Sequence, residues 1–366
     1  MPWYNDLRPE DDESKQDYAL VFPGMTDTEK KRTIENLLRL RSGLDQDIPQ
    51  KITEQNLLIA TWNLKEFGHL KNRLPETYFY IAEILNRFDL IAIQEVKSTL
   101  TDLDIIMRLL GSKWAYLIAD ITEGEAGNSE RFAYVYDTER VRPSGLAGEI
   151  VLWDEITAGS AIKQLKRTPY ITGFQAGWKS FAIINIHLQP KKEAEFKAKR
   201  KEEARLLLKA LTFKLQDKRL WSDNLMIMGD TNLYKTDADI VGLFTENDFN
   251  EIVDLKDKLT NVAQTEIYDR IFIHNTEYFA LYHNFGRTGD VLKYFDYVYR
   301  LEDFQVYRGI MHDQKLDPST LVDDEAYAKY FKNTWRGNQM SDHYPVWIQL
   351  KIDSTDLFLK NKLARF

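Results

Sequence analysis

Met340-Ser341-Asp342-His343-Tyr344-Pro345-Val346-Trp347-Ile348-Gln349-Leu350 is the stretch that decides how this chain is read. Alternation after Pro345 puts Val346, Ile348 and Leu350 on one face, the period of a strand with one side in a core. A carboxylate and an imidazole, Asp342 and His343, stand just before it. A strand end is a rigid mount for chemistry. Asp342 can orient a metal-bound water or a ligand, and His343 can take a proton near neutral pH. An Asp-His pair by itself is more often a polar turn entering a strand, so the weight falls on the rest of the chain.

Other apolar runs end in the same way. Residues 56–63 close on Asn63 and residues 89–95 on Glu95, and both predict buried strands. Residues 180–188 predict a strand with His187 at its far end, and residues 225–230 one that ends at Asp230-Thr231-Asn232. Strands are also expected at 114–119, 131–137, 149–153, 169–174, 268–273 and 295–300; Asp269 and Asp296 sit near the starts of the last two. Pro75 opens a helix through Tyr78, Ile81, Ile84 and Leu85. Further helices are expected around 103–110, 323–332 and 191–216, the last carrying Glu193/Lys197 and Glu195/Lys199 at helical pair spacing. Gly124 to Ser129 reads as a turn.

Near the N-terminus, Thr26-Asp27-Thr28-Glu29 has the capping-box pattern. Ile34, Leu37, Leu38 and Leu40 follow at near-helical spacing, and Ser42-Gly43 marks the expected helix end. No Gly/Ser/Pro-rich linker divides the chain. The expected organisation is a helical extension over 1–55, one catalytic domain over 56–352 with an insertion-like stretch at about 275–340, and a charged tail over 353–366. Many strands separated by helices, with hairpin-like pairs among them, predict two stacked sheets flanked by helices, an α/β (α+β) architecture.

Composition narrows the chemistry. With 366 residues, 43% hydrophobic and 29% charged, the chain is globular and long enough for a sizeable core. A formal charge of −8 argues against coating nucleic acid through bulk positive charge, but leaves room for a local phosphate grip. The absence of cysteine excludes disulfides, thiolate catalysis and Cys-based zinc sites. No apolar run is long enough to span a membrane and no leader pattern is visible, so a cytoplasmic location is the default expectation.

Asn63, Glu95, His187, Asp230, Asn232, Asp342 and His343 together supply carboxylates, carboxamides and imidazoles without a thiolate. That set suits a hard divalent ion such as Mg²⁺ or Mn²⁺ better than zinc. Such an ion with a nearby imidazole suits hydrolysis of a phosphate ester.

The chain resembles the endonuclease/exonuclease/phosphatase superfamily, and is deoxyribonuclease I-like within it. The resemblance runs over about 56–352. It rests on Thr61-Trp62-Asn63, Gln94-Glu95, Glu130-Arg131-Phe132-Ala133-Tyr134-Val135-Tyr136, Ile186-His187-Leu188, Gly229-Asp230-Thr231-Asn232, Tyr268-Asp269-Arg270-Ile271 and Ser341-Asp342-His343-Tyr344-Pro345-Val346, all in family order. It implies a four-layer sandwich with Mg²⁺ or Mn²⁺ bound by Glu95, Asn63 and Asp342, and it leaves room for a structural Ca²⁺. His187 and His343 match the catalytic imidazoles, with Asp230 and Asn232 facing phosphate or metal. Glu130 matches a carboxylate that orients a His, taken as His343. The acid behind His187 is then Asp269 or Asp296, with Asp269 favoured by its neighbours. Arg167 resembles the family's phosphate-contacting arginine.

The implied function is metal-dependent cleavage of phosphodiester bonds, with nucleic acid, DNA first, as partner. Lys191, Lys192, Lys197, Lys199, Arg200, Lys201 and Arg205 are candidate contacts to backbone phosphates. Two alternatives stand beside this reading. One is a phosphoinositide or sphingomyelin-type head-group esterase; the other is a non-catalytic binding protein on the same scaffold.

Overall fold

The computed structural model describes residues 2–121, 129–216, 222, 224–274, 276–283 and 286–366. Apart from Ser129, the turn expected at 124–129 lies outside the described residues. In chain order the strands are β1 (Asn56–Phe67), β2 (Leu90–Lys97), β3 (Trp114–Ile118), β4 (Glu130–Asp137), β5 (Arg142–Glu149) and β6 (Tyr170–Ala176). They continue with β7 (Lys179–His187), β8 (Leu225–Asp230), β9 (Phe249–Glu251), β10 (Asp269–His274), β11 (Gly289–Val291) and β12 (Val346–Lys351). One six-stranded sheet has the order β11-β12-β1-β2-β4-β3, and the other β5-β6-β7-β8-β10-β9. Each is mixed: β1 and β2 run parallel in the first, β7 and β8 in the second.

The apolar runs are explained by burial on two faces. Along β7, Phe181 and Ile183 enter the core between the sheets, while Ala182, Ile184 and Ile186 pack outward against the helix Ala194–Gln216. Each such aliphatic side chain contributes ~1.5–3 kcal/mol through burial. Polar links also cross the sheet interface. Gln94 Nε2 donates to Asn185 Oδ1 at 2.7 Å, Asn185 Nδ2 to the Ile93 carbonyl at 3.1 Å, and the Tyr134 hydroxyl to the Ile183 carbonyl at 2.8 Å. Orphaning one of these buried groups would cost ~1–3 kcal/mol, so they fix how the sheets face each other.

The first sheet is covered by α2 (Pro75–Leu85) and α3 (Thr101–Leu110), with α1 (Asp27–Asp47) against α2. The capping box at Thr26 forms: Thr26 Oγ1 accepts from Glu29 N, and Thr26 N donates to Glu29 Oε2. The helix does not end at Gly43. It continues to Asp47, and Gly43 is where the Tyr297 ring closes on it; a Cβ there would lie 2.3 Å from that ring. This glycine serves packing, not capping.

α1 also braces the stretch 294–340. Asn36 Nδ2 donates to Tyr80 at 2.9 Å, the Tyr307 hydroxyl donates to Glu76 Oε1 at 2.6 Å, and Arg32 Nε reaches Glu76 Oε2 at 2.7 Å. Three expected elements differ. Residues 295–300 are not a strand; Tyr294–Asp296 is a single 3₁₀ turn whose aromatics are anchored in the core. The strand expected at 149–153 is displaced into β5, and Asp154–Thr157 is a short helix. The tail holds the helix Thr355–Leu363. Among the described residues no helix is long and apolar enough to cross a membrane.

Candidate active site

Strand register builds one rim. β7 runs parallel to β8 with His187 beside Asp230, and antiparallel β10 sets Asp269 opposite Asp230. Asn63 pairs with Gln94 on the neighbouring strand, which places Glu95 next along the rim. His343, just before β12, bridges to Asn261.

Asp230 is the centre. Its Oδ2 lies 3.4 Å from His187 Nε2, 3.7 Å from His343 Nε2 and 3.1 Å from Asn63 Nδ2. Behind each imidazole stands an acid: Glu130 Oε2 is 3.2 Å from His187 Nδ1, and Asp269 Oδ2 is 2.8 Å from His343 Nδ1. Asn63 Nδ2 also donates to Glu95 Oε1 at 2.9 Å, and Glu66 N donates to Glu95 Oε2 at 2.9 Å. Asn232 N donates to Asp230 Oδ1, and its amide to the Leu188 carbonyl.

Burial works against charge here, and the neighbours decide the outcome. Asp230 is buried, yet the charges of His343 and His187 and the donors Asn232 N and Asn63 hold its carboxyl below the ordinary carboxylate range. Burial pushes Asp269 up against the opposing pull of His343. For His343, burial favours the neutral ring, but Asp269 and Asp230 outweigh it and hold the imidazole well above its ordinary value. For Glu130, hydrogen bonding and charge from His187 and then Arg167 overcome burial and hold it well below the carboxylate range.

The backbone carries strain at the same rim. Glu95 sits at φ +61°, Asn232 at +49°, and Lys65 and Glu66 at +33° and +47°. Non-glycine residues in this region cost on the order of 1–3 kcal/mol each and collect at functional sites. Gly229, at φ +140°, precedes Asp230 because a Cβ there would lie 2.1 Å from the Ile186 carbonyl oxygen.

Asn63, Glu95, His187, Asp230, Asn232, Asp269, Glu130 and His343 are thus brought together, with four corrections to the sequence reading. First, the acid pairing is exchanged: Glu130 stands behind His187 and Asp269 behind His343, because β4 neighbours the β7 edge of the rim whereas β10 faces the His343 turn. Asp296 is exposed and touches neither imidazole. Second, Arg167 does not reach into the rim. It is buried and forks onto Glu130, Nε to Oε2 at 2.9 Å and Nη2 to Oε1 at 3.2 Å, which spends its planar donor set on that carboxylate. Third, Asp342 joins neither cluster of converging ligand atoms; its half-exposed carboxylate pairs with Lys65 Nζ at 3.4 Å.

Fourth, the basic face of the helix Ala194–Gln216 is largely engaged. Arg200 is buried on Asp237, Lys197 meets Asp237 and Asp239, Lys201 meets Asp239, Arg205 meets Glu202 and Lys199 meets Glu195. Lys192 lies 3.6 Å from Glu266.

The sequence assigned no role to several positioning groups, although Trp62 and Ser341 lie within the quoted motifs. Trp62 Nε1 and the Tyr294 hydroxyl both donate to the His343 carbonyl, at 3.0 and 2.9 Å. Ser341 Oγ donates to the Asn63 carbonyl at 2.6 Å and accepts from His343 N at 3.1 Å. Thr260 Oγ1 accepts from Asp269 N at 3.0 Å. The contacts of Trp62 and Tyr294 with His343 and of Ser341 with Asn63 join residues far apart in the chain.

The donor set fits a divalent cation. Glu95, His187 and Asp230 each offer a ligand atom within 4.8 Å of the others. Among the described residues no Lys or Arg forms an ion pair with Glu95. Asn63, with its nitrogen toward both carboxylates and its Oδ1 accepting from Lys65 N at 3.0 Å, braces the pair.

The mixed two-sheet sandwich flanked by helices is the fold of the endonuclease/exonuclease/phosphatase superfamily, a phosphoesterase- and nuclease-type scaffold. A family protein of that superfamily from Bacteroides thetaiotaomicron superposes with a TM-score of 0.51 at 15% identity, covering 81% of this chain and 98% of the other. A mannosyl-6-phosphatase of the same organism gives 0.50 at 15% identity, over 80% and 99%. No protein-family profile matches the chain.

In sequence the chain is similar to deoxyribonuclease-1. It is 24% identical to the Rattus norvegicus protein over 311 residues, 81% of this chain and 92% of that protein. It is 23% identical to the Homo sapiens protein over 311 residues, covering 81% and 93%. The chain is deoxyribonuclease I-like.

Proposed function

We propose that the protein is a divalent-metal-dependent phosphodiesterase that cleaves DNA as an endonuclease, with Mg²⁺ or Mn²⁺ as cofactor. The observation that carries this reading is the pair of acid–imidazole dyads, Glu130–His187 and Asp269–His343, both presenting Nε2 to Asp230. The likeness to deoxyribonuclease-1 over most of the chain favours DNA over other phosphodiesters.

Glu95 would hold the ion, with Asp230 and Asn63 beside it. A bound Mg²⁺ supplies charge neutralisation at the phosphate. The chain's own residues do the rest. Asp269 hydrogen-bonds His343 Nδ1 at 2.8 Å and Glu130 lies 3.2 Å from His187 Nδ1, so that Nε2 is the atom left on each ring to exchange a proton with water or a leaving oxygen. The ring that carries a proton at Nε2 serves as the acid and the other as the base. Asn63 holds the Glu95 and Asp230 carboxylates apart at a fixed spacing. The strained turn at Asn232 ties Asp230 to β7 through the Leu188 carbonyl.

Supercoiled plasmid incubated with Mg²⁺ or Mn²⁺ is the test. Nicking that EDTA stops is expected, and Glu95→Ala or His343→Ala should lower the rate on the order of 10²–10⁴-fold. Wild-type rates in both variants would overturn the assignment.

A further inference from the structure

Five arginines are almost completely buried: Arg73, Arg167, Arg200, Arg270 and Arg336. Four are paired with carboxylates. Arg73 meets Asp102, Arg167 meets Glu130, Arg200 meets Asp237 and Arg270 meets Glu251. Arg336 differs. Its Nε is buried without a hydrogen-bond partner, as are those of Arg200 and Arg270, but among the described residues no carboxylate forms an ion pair with it. Its guanidinium lies over the Phe295 ring at 4.4 Å from the centroid. Asp296 feels its charge without closing to an ion pair. Stacking on Phe295 accounts for one face of the group and for none of its five donors. A buried cation left this way is costly unless a ligand completes it.

The location says which ligand. Arg336 lines a cavity of about 420 Å³ together with His343, Asp342, Lys65, Lys332 and Asn333. Three cations and one carboxylate thus face a space that opens onto the His343 end of the rim, and since Lys65 pairs with Asp342, Arg336 and Lys332 are left as the excess positive charge in a chain whose overall charge is −8. Planar guanidinium donors and lysines around a small hollow match a phosphoryl group.

We propose that Arg336 is a specificity-determining residue that receives a second phosphoryl group of the substrate, one carried on the same molecule as the scissile phosphoester. The proposal rests on the rim being a phosphoester-cleaving site, and it adds how a nucleotide chain is read there: the neighbouring phosphate is received by Arg336, with Lys332 and Lys65 at its edges. Residues 331–339 bring the guanidinium there, tied down where α2 begins: Gln339 Oε1 accepts from Leu74 N at 2.8 Å and its carbonyl accepts from Arg73 Nε at 3.1 Å.

The test uses the full chain with Mg²⁺ and thymidine dinucleotides bearing a 5′-phosphate, a 3′-phosphate or neither, with a soluble inositol bisphosphate phosphodiester as a parallel arm. Hydrolysis of the plain dinucleotide by wild type tests the phosphoesterase reading. The ratio of kcat/KM for the phosphorylated to the plain dinucleotide tests Arg336. In Arg336→Met this ratio should fall on the order of 10- to 100-fold, chiefly through KM, with Arg336→Lys retaining part of it. An unchanged ratio overturns the proposal, and so does a discrimination lost only on the inositol substrate.

Inorganic phosphate binding by calorimetry gives a readout independent of turnover. Arg336→Met should weaken it on the order of 10-fold or more, and equal affinity in wild type and variant overturns the proposal. Should Arg336→Met melt early, Lys332→Gln reads the same cavity through an exposed side chain, and a weaker phosphate affinity is again the expected result.

Discussion

Arg167→Met separates a clamp from a substrate contact. In the structure Arg167 and Glu130 are both buried and joined by two hydrogen bonds, at 2.9 and 3.2 Å. Removing one partner of such a pair leaves a buried charge uncompensated and costs ~3–5 kcal/mol. Glu130 keeps some support, since Lys97 Nζ lies 3.8 Å away and His187 Nδ1 3.2 Å away. The expected loss is therefore at the lower end, about 3 kcal/mol, read from urea unfolding at pH 7.

Acid provides a second readout. Against burial, His187 and Arg167 hold the Glu130 carboxyl well below its ordinary range in the folded protein. Its stabilisation is therefore complete above the unfolded carboxyl pKa of ~4.3 and is lost as pH falls through the folded value. The gap between wild type and Arg167→Met should be full at pH 7 and should narrow below about pH 4. Unchanged stability together with a raised KM for DNA would refute this reasoning and return Arg167 to the role of a phosphate contact.

Three further outcomes follow from named contacts. Asp269→Asn should lower plasmid nicking on the order of 10²–10⁴-fold whereas Asp296→Asn leaves it at the wild-type rate, because only Asp269 touches His343; the reverse result would restore Asp296 as the supporting acid. Gly43→Ala should lower the melting temperature. Helix propensity alone would add ~1 kcal/mol, but a Cβ 2.3 Å from the Tyr297 ring overpacks at ~1–3 kcal/mol, and a raised melting temperature would show that the ring swings away freely. Gly229→Ala should reduce both stability and cleavage, since the clash is with the Ile186 backbone and cannot be relieved by a rotamer change; a variant that melts and cleaves like wild type would contradict the account of this turn.

The two-sheet sandwich was legible because its central strands are buried on both faces and therefore read as unbroken apolar runs, as in 181–184 and 225–228. The rim was legible for a related reason: Asn63, Glu95, His187 and Asp230 each interrupt such a run at its end. Partnership was not legible. Whether Glu130 backs His187 or His343 depends on which strands adjoin across two sheets, and one sequence holds no record of that.

Gly43 misled for a different reason. The same residue type suits a helix end and a close ring approach, and only Tyr297, more than 250 positions away in the chain, decides between them. Arg336 gave no signal at all, because an arginine in a polar stretch looks solvated until the aromatic wall that buries it is in place.

Side chains from β1, β2 and β8 are expected to hold one divalent cation, and the rest depends on that ion. Anomalous diffraction from crystals soaked in Mn²⁺ tests it most directly. The account predicts a peak in contact with the Glu95 carboxylate beside Asp230 and Asn63, and its disappearance in Glu95→Gln. A rim without a peak in wild-type crystals, or a peak that persists in Glu95→Gln, would contradict it.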